Sequence, residues 1–452
     1  MIELTLKEAV AAAGGKLMHG EAIPGGETAV IRGITLDSRK VEPGFLFVAI
    51  KGERVDGHDY IEKAVGSGAL AAISEKDLPF PHIRVGSSLA AMQGIAAYLR
   101  EKSGVKVIAV VGSVGKTSTR QMLSCVLDEK FEVLSTEGNF NNEFGLPQML
   151  FRLEPYHELA VLELGISHFG EMDRLGRIAK PDYVVYTNIG NMHLENLIDR
   201  DGVLRAKTEL LPYVKPGGKL FLNGADDKLR GLHTVLPAIY FGVDECYSVH
   251  AEDVEQFGLE RTEFTLVYKE RTARVSMPAV GQHMVQNAIA AATVALELGL
   301  TAEQVKAGIE SYSPVGHRGR VEKFAGITLV DDCYNAGPDS MRAAIASLKY
   351  GRRVALLGDM LELGDKAAEL HRSLGEFCAE NLEALFTVGE LGAEIAKGAE
   401  NAGMKNVYRV SMDDAADELL SFIKKGDVLL IKASRGMHLE DVVEKIMKNC
   451  RR

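Results

Sequence analysis

The stretch VIAVVGSVGKTSTRQML, from Val107 to Leu123, sets the tightest limit on what this chain can fold into. Five successive apolar residues, Val107 to Val111, read as a strand buried on both faces. A glycine-flanked turn and a helical pattern follow. Such a strand needs a sheet with helices on either side of it. The turn looks like a phosphate-binding loop, but a short one. The general pattern is G-x-x-x-x-G-K-[ST]. Here only Ser113 and Val114 separate Gly112 from Gly115-Lys116-Thr117, and Val110 stands where the general pattern has its first glycine. Backbone N–H groups from Gly112 to Ser118 would still converge on one point, and the helix N-terminus adds partial positive charge there. Lys116 can reach terminal phosphates, and the Thr117 hydroxyl can ligate Mg²⁺. By itself the loop implies a nucleoside triphosphate and leaves the reaction open. A plain strand–turn–helix connection is the minority alternative.

The rest of the chain repeats the theme. A length of 452 residues suggests roughly three domains at about 150 residues each. The first segment, 1–85, is a small α/β unit with strands FLFVAI and ALAAIS. The second, 86–313, has further buried-strand signals, LAVLELG, YVVYTNIG, KLFLN and AIYFG, with helical patterns between several of them. Strands alternating with helices predict a mostly parallel sheet. Near its end FTLVYKERTARVSM predicts two strands, followed by an Ala-rich helix ending at Gly299. The third, 314–452, predicts five strands with intervening helices, a compact Rossmann-like unit. The fold class is therefore α/β in three parts, with a small N-terminal domain, a central P-loop domain and a C-terminal Rossmann-like domain.

Composition excludes several functions. A net charge of −11 argues against nucleic acid, whose binding rests on neutralising phosphates with Lys and Arg. Five scattered cysteines with no C-x-x-C predict free thiols in a reducing compartment, and their spacing does not suggest zinc. No apolar run approaches about 18 residues, so no membrane span is expected. The N-terminus has no signal layout, which points to the cytoplasm.

Other positions carry candidate chemistry beside a plainer reading. Glu163 ends the apolar run LAVLE, where a second Mg²⁺ partner of a P-loop belongs; a strand-end salt bridge is equally open. His193, in a polar turn after a buried strand, and Lys207, in a helical run, each read first as ordinary solvated residues. Asn139, Asn141 and Asn142 cluster in TEGNFNNEFGLP, suited to a hydroxyl-rich or peptide ligand or simply to a turn. HRGR, at 317–320, and DDCYNAGPDS, at 331–340, open the third segment. There Arg318 could reach a γ-phosphate and a strand-end Asp could bind ribose, or the two stretches are a linker and a helix cap.

Together these stretches resemble the Mur ligase family, the ATP-dependent amide ligases of bacterial peptidoglycan precursor synthesis. The shortened loop is that family's form of the motif. DSRKVEPGFLFVAIKGERVDGHDY, TEGNFNNEFGLP, DDCYNAGPDSM, LLGDMLELG and KASRGMHLE carry the likeness across nearly the whole chain. Within the family it is most similar to the branch that joins D-alanyl-D-alanine to UDP-N-acetylmuramoyl-tripeptide, and the DNPR signature of a neighbouring branch is absent. The resemblance implies ATP and two Mg²⁺ ions as cofactors, and those two substrates as partners of a monomer. It implies that Lys116 and Thr117 hold the triphosphate and the first Mg²⁺, with Glu163 and His193 as metal-binding residues. Lys207 matches a lysine carbamylated in several members, where it helps bind the second Mg²⁺. Asn287 matches the adenine contact, Arg318 the junction arginine that reaches ATP, and Asp332 the ribose-binding aspartate, with Tyr334 and Asn335 beside it. Asp37, Ser38 and Arg39 resemble the uridine-diphosphate site, and Asn139, Asn141 and Asn142 would face the muramoyl-peptide. Asp359, Met360, Leu363 and His371 resemble the part that receives D-Ala-D-Ala, and Lys432, Ser434 and Arg435 match a late K-G-S-R element. Three positions depart from the family pattern: Met284 after His283, Gly337 in Y-N-A-G-P, and Ala433 in K-A-S-R. The rival readings are a Mur-type ligase that adds a single amino acid, and a binding module that only hydrolyses ATP.

Overall fold

The strand Lys106–Val111 lies inside a six-stranded sheet that is parallel throughout. Its order is Ala238–Phe241, Lys219–Asn223, Tyr183–Tyr186, Lys106–Val111, Leu159–Glu163, Val133–Ser135. The structure, a computed structural model, describes residues 1–52 and 55–450. Glu53 and Arg54, inside the DSRKVEPGFLFVAIKGERVDGHDY stretch, lie outside the described residues.

Alternation along the central strand explains why Val107 to Val111 are all apolar. Val107, Ala109 and Val111 join one core cluster and Ile108 and Val110 the other. Successive side chains point to opposite faces, so both faces are dry. The helices Lys116–Leu127 and Gln282–Glu297 pack against each other and supply one face. The helices Ser88–Ser103 and Glu171–Ala179 supply the other. The chain fills one side of Lys106–Val111 before crossing to the other, which makes the C-terminal end of this strand the topological switch point where ligands of such sheets bind. Register pairs Val110 with Glu163 on one neighbour and with Val185 on the other. Glu163 is thereby set beside the start of the loop.

The N-terminal sheet has five strands, ordered Lys16–Met18, His82–Arg84, Ala71–Ser74, Phe45–Val48, Gly33–Thr35. Only its first pair is antiparallel. A short separate pair, Leu4–Thr5 with Val30–Ile31, and the helix Leu6–Ala13 accompany it; none of these was expected from the sequence. The helix Ser88–Ser103 packs on Leu6–Ala13 and also on Gly145–Leu150 and Glu171–Ala179. One core cluster therefore runs from Ile2 through Leu229, so residue 85 marks a change of sheet and not a break in packing.

The C-terminal sheet contains the five expected strands, in the order Ile327–Asp331, Asp427–Lys432, Arg352–Leu357, Ala384–Thr387, Val407–Arg409, all parallel. A sixth, Arg320–Phe324, pairs antiparallel on the Ile327–Asp331 edge. Its half-buried, charge-rich RVEKF sequence hides it from any periodicity argument. The ribbon expected near FTLVYKERTARVSM likewise has a third strand, Val249–Phe257, whose outer half is acidic and exposed. The four described cysteines, Cys125, Cys246, Cys333 and Cys378, are free. Among the described residues no helix is long and apolar enough to cross a membrane.

Candidate active site

The loop after Val111 is shaped by contacts with the end of the neighbouring strand. The Thr187 hydroxyl donates to the Val114 carbonyl at 2.6 Å, and the Asn188 side chain accepts from the Val114 N–H at 2.9 Å. The Ser113 N–H donates to the Asn188 carbonyl at 3.0 Å, and the Gly190 N–H donates to the Ser113 hydroxyl at 2.9 Å. A Cβ on Gly112 would stand 1.9 Å from the Thr187 hydroxyl oxygen, so only glycine fits. Gly115 caps the following helix at φ +81°, the left-handed region that disfavours other residues. The Lys116 ammonium donates to the Gly112 and Ser113 carbonyls at 2.8 and 3.2 Å. Burial lowers its pKa, the nearby Glu163 charge opposes that shift, and Arg318 adds to it. Lys116, Glu163 and Arg318 thus feel one another although they come from three separate stretches.

Glu163 is 2% exposed. Its N–H donates to the Thr136 hydroxyl at 3.0 Å, and one carboxylate oxygen accepts from Asn141 Nδ2 at 2.8 Å. The other, Oε2, is buried with no hydrogen-bond partner. Leaving a buried carboxylate oxygen unpaired is costly, and a hard cation is the natural remedy. With the Thr117 hydroxyl at the head of the P-loop helix, the donor set is all oxygen and fits Mg²⁺. Asn141 therefore orients the acid, a contact that the Asn-rich loop did not advertise in the sequence.

His193 sits at φ +56° ahead of the short helix Leu194–Leu197, and its Nδ1 lies 2.5 Å from Oε2 of Glu362 in the C-terminal part. The hydrogen bond to His193 holds the Glu362 carboxyl below the usual carboxylate range. Lys207, on the helix Arg200–Thr208, is 1% exposed. Burial, then the neighbouring Lys116 charge, pushes its pKa far down and favours the neutral amine. Its ordinary surface reading is therefore overturned: the helix turns this lysine inward.

From the C-terminal part, the Arg318 guanidinium stacks on the Tyr334 ring at 3.8 Å. The preceding His317 is anchored to buried Asp331 at 2.6 Å, and the Tyr334 N–H donates to the His317 carbonyl at 3.0 Å. HRGR is thus a structured strap. Lys432, 3% exposed, binds Asp332 Oδ2 at 2.7 Å and the Asn335 carbonyl at 2.9 Å. Arg435 lies 5.7 Å from the Tyr334 ring centre. Across the cleft, the Asn287 side chain accepts from the Thr119 hydroxyl at 3.1 Å and donates to Met284 Sδ at 3.6 Å. The Met284 departure therefore sits directly on the predicted adenine contact.

These elements line one cavity of about 1220 Å³ between the central and C-terminal sheets. Its wall contains the loop from Ser113 to Ser118, Asn139, Asn141, Asn142, Glu163, His193, Asn287, Arg318, Asp332, Tyr334, Asn335, Lys432 and Arg435. It also contains Ile166, Leu259, Val280, His283, Ala344 and Glu362. The apolar members carry no motif, and only their meeting in space marks them. Gly112 shapes the loop from behind. Lys207 lies beside Lys116 and outside the wall. Asp37, Ser38 and Arg39 form a turn on the N-terminal unit, apart from the cavity, with Arg39 Nη2 on Asp37 Oδ2 at 2.8 Å.

Of the residues expected to receive D-Ala-D-Ala, Met360 and Leu363 are buried in the C-terminal core and His371 is fully buried. The fully buried His371 accepts the Met360 N–H at 2.9 Å, and its other ring nitrogen meets the Ala367 carbonyl at 2.6 Å. Asp359 accepts the Gly392 N–H at 2.7 Å, and the Ser434 hydroxyl accepts the Leu361 N–H at 2.9 Å. Asp359, His371 and Ser434 are thus braces of the loop that carries Glu362.

Comparison with known proteins agrees with this geometry. Residues 110–295 match the Mur ligase middle domain, 317–435 the Mur ligase glutamate ligase domain, and 30–114 the catalytic domain of the Mur ligase family. The UDP-N-acetylmuramoyl-tripeptide–D-alanyl-D-alanine ligase of Bacillus subtilis (strain 168) is 38% identical over 99% of both chains. The enzyme of the same name from Escherichia coli (strain K12) is 31% identical over 99% of both. A crystal structure of MurF from Acinetobacter baumannii superposes with a TM-score of 0.91 at 33% identity, covering 99% of each chain. MurF from Thermotoga maritima, solved in complex with ADP, gives 0.84 at 30% identity over 93% of this chain and 98% of that one. With relatives this similar along its whole length, the chain belongs to the Mur ligase family.

Proposed function

We propose that this chain is the ATP-dependent ligase that joins D-alanyl-D-alanine to UDP-N-acetylmuramoyl-tripeptide in peptidoglycan precursor synthesis. One observation carries the reading. A single cavity gathers a triphosphate loop, an under-coordinated acid and cationic side chains from two sheets, in a chain whose relatives bear that name.

The tripeptide's terminal carboxylate oxygen attacks the γ-phosphorus, and the bond to the β-phosphate oxygen breaks with its electron pair leaving on ADP. The acyl phosphate replaces an oxide leaving group with phosphate. The free amine of D-Ala-D-Ala adds to the acyl carbon, the tetrahedral intermediate expels phosphate, and the nitrogen loses its proton to leave an amide. Lys116 and Arg318 are suited to stabilise charge on the transferring phosphoryl group. Thr117 and Glu163 would hold one Mg²⁺, and His193 with Lys207, as its carbamate, a second; their chemistry is to offset repulsion between carboxylate and triphosphate. Lys207 supports the carbamate reading because carbon dioxide adds to a neutral amine, the form that burial favours.

The three domains, 1–85, 86–313 and 314–452, would take nucleotide sugar, ATP and dipeptide in turn. Asp37, Ser38 and Arg39 would bind the uridine diphosphate, and Asn139 and Asn142 would face the muramoyl-peptide. Asn287 would meet adenine, Asp332 ribose, and Lys432 and Arg435 the junction of ATP and dipeptide. The same reading takes the chain as a monomer. The test offers UDP-muramoyl-tripeptide with D-Ala-D-Ala, glutamate, lysine or diaminopimelate separately. ADP release and a matching product mass are expected with the dipeptide alone. Equal turnover with a single amino acid, or ADP release without any amine, would overturn the assignment.

A further inference from the structure

Glu362 belongs to the LLGDMLELG motif, yet nothing in the proposed chemistry uses it. Its carboxylate meets His193 across the junction of two sheets, from a position 169 residues away in the chain. A carboxylate only accepts, so Nδ1 of His193 carries a proton, which in the neutral ring leaves Nε2 as the nitrogen available to a cation. The contact is built into the backbone. The Glu195 N–H donates to the Glu362 carbonyl at 3.2 Å, and Glu362 itself is held at φ +64°. A Cβ on Gly364, two residues on, would stand 3.1 Å from the Glu195 Cα, so the two loops are in close register. Asp359, His371 and Ser434 brace the Glu362 loop from behind.

We infer that Glu362 is a positioning residue: it fixes the tautomer and ring orientation of His193, and does so only while the C-terminal sheet is docked on the central one. Cation binding at His193 is then coupled to domain docking, because the partner that orients the ligand arrives with the other domain. The inference rests on the proposed reading of His193 as a metal ligand. Outer-shell carboxylates of this kind change metal affinity by about 10- to 100-fold when removed.

The experiment titrates Mn²⁺, as a paramagnetic probe, into the full chain with a non-hydrolysable ATP analogue and follows free Mn²⁺ by electron paramagnetic resonance. Glu362→Ala should weaken one class of site by about tenfold or more, with unchanged circular dichroism. Glu362→Gln should recover part of the loss, because its amide oxygen still accepts from Nδ1. His193→Ala should weaken the same class, and the double variant should be no worse than His193→Ala alone. If Glu362→Ala binds Mn²⁺ like the parent while His193→Ala does not, or if the two losses multiply, the positioning role is wrong. If His193→Ala itself leaves Mn²⁺ binding intact, the metal-ligand reading of His193 fails, and the inference with it.

Discussion

At the scale of single residues, the short phosphate loop is an exercise in close approach. Gly112 has no room for a methyl group because Thr187 is already using that space to hold the Val114 carbonyl. Gly112→Ala must displace Thr187 and loosen the loop. We expect a stability loss of about 1–3 kcal/mol, typical of overpacking. We also expect at least a tenfold loss of ADP affinity, about 1.4 kcal/mol, by isothermal titration. Unchanged ADP binding would mean that the Thr187 contact does not hold the loop. The buried Oε2 of Glu163 and the buried amine of Lys207 are costly on their own, and such costs concentrate where a ligand resolves them.

At the scale of elements, the helix Leu6–Ala13 is tied to Ser88–Ser103 through one side chain. Oε1 of Glu8 accepts from Lys102 and from the Tyr98 hydroxyl, each at 2.6 Å, and its Oε2 accepts from the Thr5 N–H at 2.8 Å, closing a capping box. The bond from Lys102 above all, then those from Thr5 and Tyr98, bring the Glu8 carboxyl from 4.5 down to about 2. Between those values the unfolded chain binds the extra proton. The stabilisation is therefore complete above the ordinary carboxyl pKa and is lost as the pH falls through the folded one. Glu8→Gln should lower the urea midpoint at neutral pH, and the gap from the parent should narrow steadily on acidification from about pH 5 towards pH 2. A gap independent of pH would assign the loss to packing instead. The pairing of helices 6–13 and 88–103 also explains why the first segment and the central one share a core.

At the scale of the whole molecule, the cavity belongs to no single sheet. Its walls come from the central P-loop unit and the C-terminal unit, joined at His193–Glu362 and by the Glu195 N–H on the Glu362 carbonyl. On the proposed reading, docking would complete a site split in this way and exclude water from the acyl phosphate. Small-angle scattering should therefore give a smaller radius of gyration with ATP analogue, UDP-muramoyl-tripeptide and D-Ala-D-Ala than for the free chain. Identical curves would count against ligand-driven closure.

The sequence by itself determined the doubly covered parallel sheets, the position of the P-loop and most of the cavity's polar wall. Buried strands and glycine loops are local patterns whose physics is set within a dozen residues. It also carried the family, through several motifs that are individually weak. The charged edge strands Arg320–Phe324 and Val249–Phe257 were illegible because an edge strand is defined by its partner and not by its own periodicity. Only the tertiary structure turned Lys207 inward, sent Met360 and His371 into the core, and brought Glu362 to His193. Those outcomes depend on which faces of distant elements meet. A motif fixes residue types along the chain, and packing decides which of their side chains face the ligand.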